Sequence, residues 1–125
     1  MNYEQMTIKL QEALQSAASI ASQCDHSEIG NEHILKAFLE QKDGLIPPLV
    51  ECVGIPKEKL LSETEKLLDQ YPVVHGQAQT ALSSSAQKVL AKAEKEMAAL
   101  KDQFLSVEHI LLSMCQSEDR TGELL

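Results

Sequence analysis

Asn31-Glu32-His33-Ile34-Leu35 is echoed by Val107-Glu108-His109-Ile110-Leu111, an offset of 76 residues. At the same offset Gln11 meets Gln87, Leu14 meets Leu90, Ala17 meets Ala93 and Asp43 meets Asp119. The apolar pattern beneath these identities repeats too. Leu10, Ala13, Leu14, Ala17, Ala21 and Cys24 form one face at helical spacing, and Ala86, Val89, Leu90, Ala93, Met97 and Leu100 form its counterpart. A short break with a single apolar residue follows each, Ile29 or Leu105. A second helical segment then begins, with Ile34/Leu35 and Phe38/Leu39 in the first copy and Ile110/Leu111 and Met114/Cys115 in the second. The chain reads as a duplicated helical unit.

Working outward, Asp43-Gly44 stops the second helix, and Pro47-Pro48 belongs to the opening turn of a short helix over 45–52 that ends at Gly54. Pro56 opens another helix with Leu60, Leu61, Thr64, Leu67 and Leu68 on one side, and Pro72 closes it. Residues 71–80 carry no formal charge and read as a linker, after which Ser83, Ser84 and Ser85 offer N-cap oxygens. The expected layout is one all-α domain: repeat one over 7–70, a linker over 71–82, and repeat two over 83–125. The second copy reaches Gly122-Glu123-Leu124-Leu125, where the first continues for roughly 20 residues more, so the expectation is a truncated second repeat in a longer polypeptide.

Composition agrees with this class. Aromatics make up 3% of the 125 residues and Trp is absent, so the core is built from Leu, Ile, Val, Ala and Met, which suits helices better than a sandwich of sheets. The net charge of −8 argues against a nucleic-acid partner, which needs a basic face. No stretch approaches the apolar length of a membrane span, and the opening Met1-Asn2-Tyr3-Glu4-Gln5 lacks the features of a signal peptide. Cys24, Cys52 and Cys115 form no CxxC pair, which reads as a reduced cytoplasmic protein with buried thiols.

Chemistry-bearing motifs are few. There is no phosphate-binding loop, nucleophile elbow or zinc-binding helix, so no catalytic residues are assigned. Cys24 and His26 form a close pair, but a metal needs three or four converging ligands, and no metal is assigned. Neighbouring residues on a helix point apart, so Glu32-His33 and Glu108-His109 do not make acid/base pairs; the histidines are read as packing between the two units. Glu32 and Glu108 open their helices, and two readings stand for them. They are solvated carboxylates favoured by the helix dipole, or acceptors for a partner's Arg, Lys or amide groups, with Asp102 a third acceptor near Glu108. An apolar groove rimmed by such acids suits a hydrophobic, preferably basic, extended segment.

The segments Ile29 to Leu35 and Leu105 to Leu111, set around an uncharged linker, resemble the Clp N-terminal domain of the Clp/Hsp100 class of AAA+ unfoldases. Met1 to Thr7, the Tyr71-Pro72-Val73-Val74-His75-Gly76 linker and Lys101-Asp102-Gln103-Phe104 look most like the ClpB disaggregase type. The resemblance implies a domain of about eight helices that binds unfolded or aggregated polypeptide. It passes that polypeptide to ATPase rings outside this chain, which carry the ATP and magnesium. An isolated domain of this kind is expected to be a monomer and its parent a hexamer. The implied substrate-handling positions are Thr7, Asp102 and Glu108, with groove positions at Leu90 and His109. Glu32 and Glu108 together are closer to the ClpC type, whose matching glutamates meet adaptors or the guanidinium of phosphoarginine-tagged substrates. A free-standing adaptor or regulator of the same fold is the competing class.

Overall fold

A computed structural model of the chain describes residues 6–73, 81–100 and 104–116. Within them lie α1 (Ile8–Gln23), β1 (Glu28–Ile29), α2 (Asn31–Glu40), α3 (Ile46–Cys52), α4 (Lys57–Leu68), β2 (Ala81–Leu82), α5 (Ser84–Ala99) and α6 (Val107–Cys115). The expected all-α class holds, with two short strands added. The continuation of repeat two past residue 116 and residues 74–80 of the linker lie outside the described residues.

The duplication is visible bond by bond. Thr7 caps α1 by accepting from Leu10 N at 3.2 Å, and Ser83 caps α5 by accepting from Ala86 N at 3.1 Å. Gln11 Nε2 donates back to Met6 O at 3.1 Å, as Gln87 Nε2 does to Leu82 O at 3.0 Å. Each unit then reaches into the other. Thr7 N donates to Leu105 O at 2.8 Å beside a Met6–Leu105 bridge, while Ser83 N donates to Ile29 O at 2.9 Å beside the parallel β1–β2 pair. The single apolar residue in each interhelical break therefore joins the two units: Ile29 and Leu105 are 8% and 2% exposed. Thr7→Ala or Ser83→Ala is expected to lower stability by about 1 kcal/mol each, since either leaves a first-turn amide uncapped. Urea unfolding of the single variants checks this, and a pair differing widely in effect would break the equivalence of the units.

α2 lies at the centre. It packs against α1, α3, α4, α5 and α6, and eight of its first nine residues are buried, all but Lys36, which is the pattern of an interior helix. α1 and α5 present Leu10, Ala13, Ala17, Ala21 and Ala86, Val89, Leu90, Ala93 to this core, the alanines permitting close helix approach. α1 and α3 both end in turns where the chain passes through the left-handed region. Asp25 (φ 57°) and Gly54 (φ 92°) take that conformation, and the next amides return to the helix as His26 N→Ala21 O and Ile55 N→Val50 O, both 2.9 Å.

The structure corrects two expectations, on the cysteines and on His33, and adds an anchor to the start of the linker. All three cysteines are exposed rather than buried, because each sits at the end of its helix, past the last turn that faces the core. The start of the linker is anchored: Tyr71 is half-buried and Val73 bridges His26. The bonded and ring partners of His33 lie in the first unit and this anchored segment, at His26, Gly30 and Tyr71, not between the units.

Candidate functional site

Both glutamate-histidine pairs open a helix in the same way. Gly30 N donates to His33 Nδ1 at 2.9 Å, and Ser106 N donates to His109 Nδ1 at 3.0 Å. The imidazole thus caps its own helix, and the carboxylate before it stands in the first turn, where the dipole favours negative charge. From here the units diverge. Glu32 is 4% exposed and accepts from the Tyr71 hydroxyl at 2.8 Å, whereas Glu108 is exposed.

Glu108 stands on the wall of an apolar groove of about 270 Å³. Leu49, Val53 and Ile55, from α3 and the turn after it, form one side, and Leu111, Leu112 and Cys115 of α6 form the other. Leu49, Val53 and Leu112 are 38%, 66% and 42% exposed, which is costly for large apolar side chains gathered in one place unless something covers them. The matching face of α2 is covered by α4, where Lys36 pairs with Glu65 at 3.4 Å. Leu112 takes the place of Lys36 in the second unit, so this wall is apolar where its counterpart is charged. Although the residue is exposed, partial desolvation by its apolar neighbours raises the Cys115 thiol above its ordinary range, so it stays protonated at the edge of the apolar wall. A second concavity, between α1 and α2, is larger at about 530 Å³ but lined mainly by polar side chains such as Glu12, Gln15, Ser16 and Glu40, with Ile20 and Ala37 among them, and it offers less apolar surface to a partner.

The residues singled out from sequence fall in different places. Thr7 is half-buried, and its hydroxyl is occupied in capping α1, though its amide holds Leu105 just before the start of α6. Leu90 is 1% exposed inside the core and does not line a groove. His109, at 8%, is likewise a buried cap: the Ser106 hydroxyl and amide both lie at its Nδ1. Glu32 is closed over by Tyr71, Glu108 is open, and Asp102 lies outside the described residues. Leu49, Val53 and Leu112 were missed. Their only signal in the sequence is that the core stripes of their helices do not use them.

Among the described residues no group of three or more His, Cys, Asp or Glu converges on a common point that could hold a metal ion, and no helix is long and apolar enough to cross a membrane.

The profile of the Clp repeat (R) N-terminal domain matches residues 5–125. The chaperone protein ClpB of Bacillus cereus is 34% identical over 128 residues, covering 99% of this chain and 15% of the relative. The chain therefore spans a small part of the curated relatives it matches. Among solved structures, the Hsp104 N-terminal domain from Candida albicans superposes with a TM-score of 0.86 at 22% identity, covering 95% of this chain and 78% of that one. A complex of the ClpV N-domain with a VipB peptide gives a TM-score of 0.78 at 17% identity, over 94% of this chain and 74% of that one. With the paired caps, the exchanged loop contacts and the profile in agreement over nearly its whole length, the chain belongs to the Clp repeat N-terminal domain family.

Proposed function

We propose that this chain is the substrate-recognition domain of an ATP-dependent, ClpB-type chaperone, and that it receives unfolded or aggregated polypeptide in the α3–α6 groove. The observation that carries the reading is the apolar groove with an exposed carboxylate, Glu108, at its rim. Similarity to ClpB chaperones supports the parent type, and a peptide complex of the ClpV N-domain supports polypeptide as the kind of partner. The domain binds and does not catalyse. ATP and magnesium belong to ATPase rings elsewhere in a cytoplasmic, hexameric parent, which uses them to thread or disaggregate what this domain delivers.

The groove accepts one or two apolar side chains of a passing segment, each contributing about 2 kcal/mol on burial. A basic side chain or amide then bonds Glu108, a charge-assisted contact of about 1.5–3 kcal/mol. After the ordering costs of a flexible chain the net affinity falls on the order of 0.1–1 mM, weak enough for release to the next stage. The net charge of −8 draws basic segments in at low salt and fades with screening.

On titration with a permanently unfolded basic protein, amide shifts are expected to cluster on α6 and on Leu49 to Ile55. Leu112→Asp is expected to weaken binding at least about tenfold, by placing a charge on the apolar wall, and Glu108→Gln by about threefold to tenfold. Shifts scattered over the surface, or full binding by the Leu112→Asp protein, would remove the groove from the mechanism. The ClpC-type alternative, with adaptor or phosphoarginine docking, uses both glutamates, and the Tyr71 hydroxyl on Glu32 speaks against it.

A further inference from the structure

The two pseudo-equivalent glutamates differ in one respect that concerns binding. Glu32 already has the kind of donor that a partner would bring to Glu108. The Tyr71 hydroxyl reaches its Oε1 at 2.8 Å, a charge-assisted bond from a group 39 residues away in sequence. Tyr71 is fixed in that position. Its ring stacks on His26 (centroids 5.1 Å apart, 23° between planes) and meets the edge of His33 (4.8 Å, 80°), while the neighbouring Val73 bridges His26. A donor held this way competes with any free ligand at high effective concentration and with little ordering cost.

Gly30 explains why this happens in only one unit. A Cβ built on Gly30 would overlap the Tyr71 hydroxyl, so the hydroxyl occupies the space that the missing side chain leaves. The matching residue of the second unit is Ser106, whose side chain fills that space and whose hydroxyl lies 2.9 Å from His109 Nδ1. Gly30 has an ordinary backbone conformation (φ −96°), so the glycine is not needed for the turn itself.

We propose that Tyr71 is an internal ligand that plugs the Glu32 site, with Gly30 as the residue that admits it, so that a cationic partner group finds one open carboxylate, Glu108, rather than a symmetric pair. This rests on the reading of Glu108 as a partner's acceptor. It makes Tyr71 and Gly30 determinants of stoichiometry. Gly30→Ala is expected to displace the Tyr71 ring as a whole, because its hydroxyl and the ring carbon that carries it both lie against the new Cβ, and Tyr71→Ala to remove it; both open Glu32.

The test labels the glutamate carboxylates of the whole chain with carbon-13 and titrates in an unstructured acetyl-Gly-Arg-Gly-amide peptide. In the unaltered protein the Glu108 carboxylate is expected to shift while Glu32 stays silent. In both Gly30→Ala and Tyr71→Ala, Glu32 is expected to respond as strongly as Glu108, raising the count from about one site to about two. The proposal is overturned if Glu32 already responds in the unaltered protein. It is equally overturned if Glu32 stays silent in both variants while the His33 ring signals keep their folded dispersion. A silent Glu108 alongside a Glu32 that opens in the variants supports the plug and removes Glu108 from the functional reading instead.

Discussion

Phe38→Ala is expected to lower the free energy of unfolding by about 3–5 kcal/mol, the largest effect of any single truncation among the described residues. Phe38 is 0% exposed on α2, the helix that all the other helices contact, and it leads the fully buried side chains by volume. The core around it is mostly Leu, Ile, Val and Ala, whose short side chains cannot extend to fill the space a lost ring leaves. The alanines of α1 and α5 hold the helices close, so the cavity cannot collapse without parting them from α2. Loss of the ring thus combines lost burial with an unrelaxed void, on a domain whose whole stability is of the order of 5–15 kcal/mol. The other phenylalanine is an internal control. Phe104 is 54% exposed, and Phe104→Ala is expected to change stability by no more than about 0.5 kcal/mol. Urea unfolding of both variants at equal slope measures the difference. A loss below about 1.5 kcal/mol for Phe38→Ala would show that α2 is not the centre that its burial indicates.

The sequence made the duplication legible because its marks are local. Glu-His-Ile-Leu occurs twice, the caps Thr7 and Ser83 precede matching apolar stripes, and each stripe has the 3.6-residue period. The contacts between units were not legible. β1 is two residues long and the Met6–Leu105 bridge is a single pair, so neither carries a period, and Ile29 and Leu105 read as loop residues although they join the halves. Leu90 and Leu112 show the same gap from opposite sides. Both lie on apolar helices, and periodicity says that a face is buried without saying what covers its edge; Leu90 proves to be inside and Leu112 on an open wall. The cysteines failed for a related reason. Cys115 continues the spacing of Leu111, but α6 ends there and the last residue emerges. The inequality of Glu32 and Glu108 depends on Tyr71, far away in the chain, and its one local sign is glycine at 30 against serine at 106.

Acid should weaken the fold from about pH 6.5 downwards, through the His26–His33 pair. His33 Nδ1 accepts from the Gly30 amide, so its proton sits on Nε2, which donates to His26 Nδ1 at 2.8 Å. This assignment leaves no nitrogen in the pair free to take a proton without breaking a bond. Burial is the main cause that holds His33 down to about 4 against an ordinary 6.5, with the nearby positive charges of His26 and then Lys36 acting in the same direction. His26 is lowered as well, by burial, against opposing attraction from Asp69 and Asp25. The Tyr71 ring and Glu32 complete the surroundings. The unfolded chain therefore binds protons more readily than the folded one. Stability is complete above about pH 6.5, falls as the pH drops through the interval towards 4, and levels off below it. For His33 alone the loss is about 2 kcal/mol by pH 5 and about 3 kcal/mol when complete. Urea midpoints between pH 7.5 and pH 5 are expected to fall accordingly in the unaltered protein. The fall should be much smaller in a His26→Gln/His33→Gln protein, which starts less stable because the Gly30 cap is lost. Equal slopes in the two proteins would show that the pair is not what titrates, and that the bond between its nitrogens does not hold the start of α2 to the end of α1.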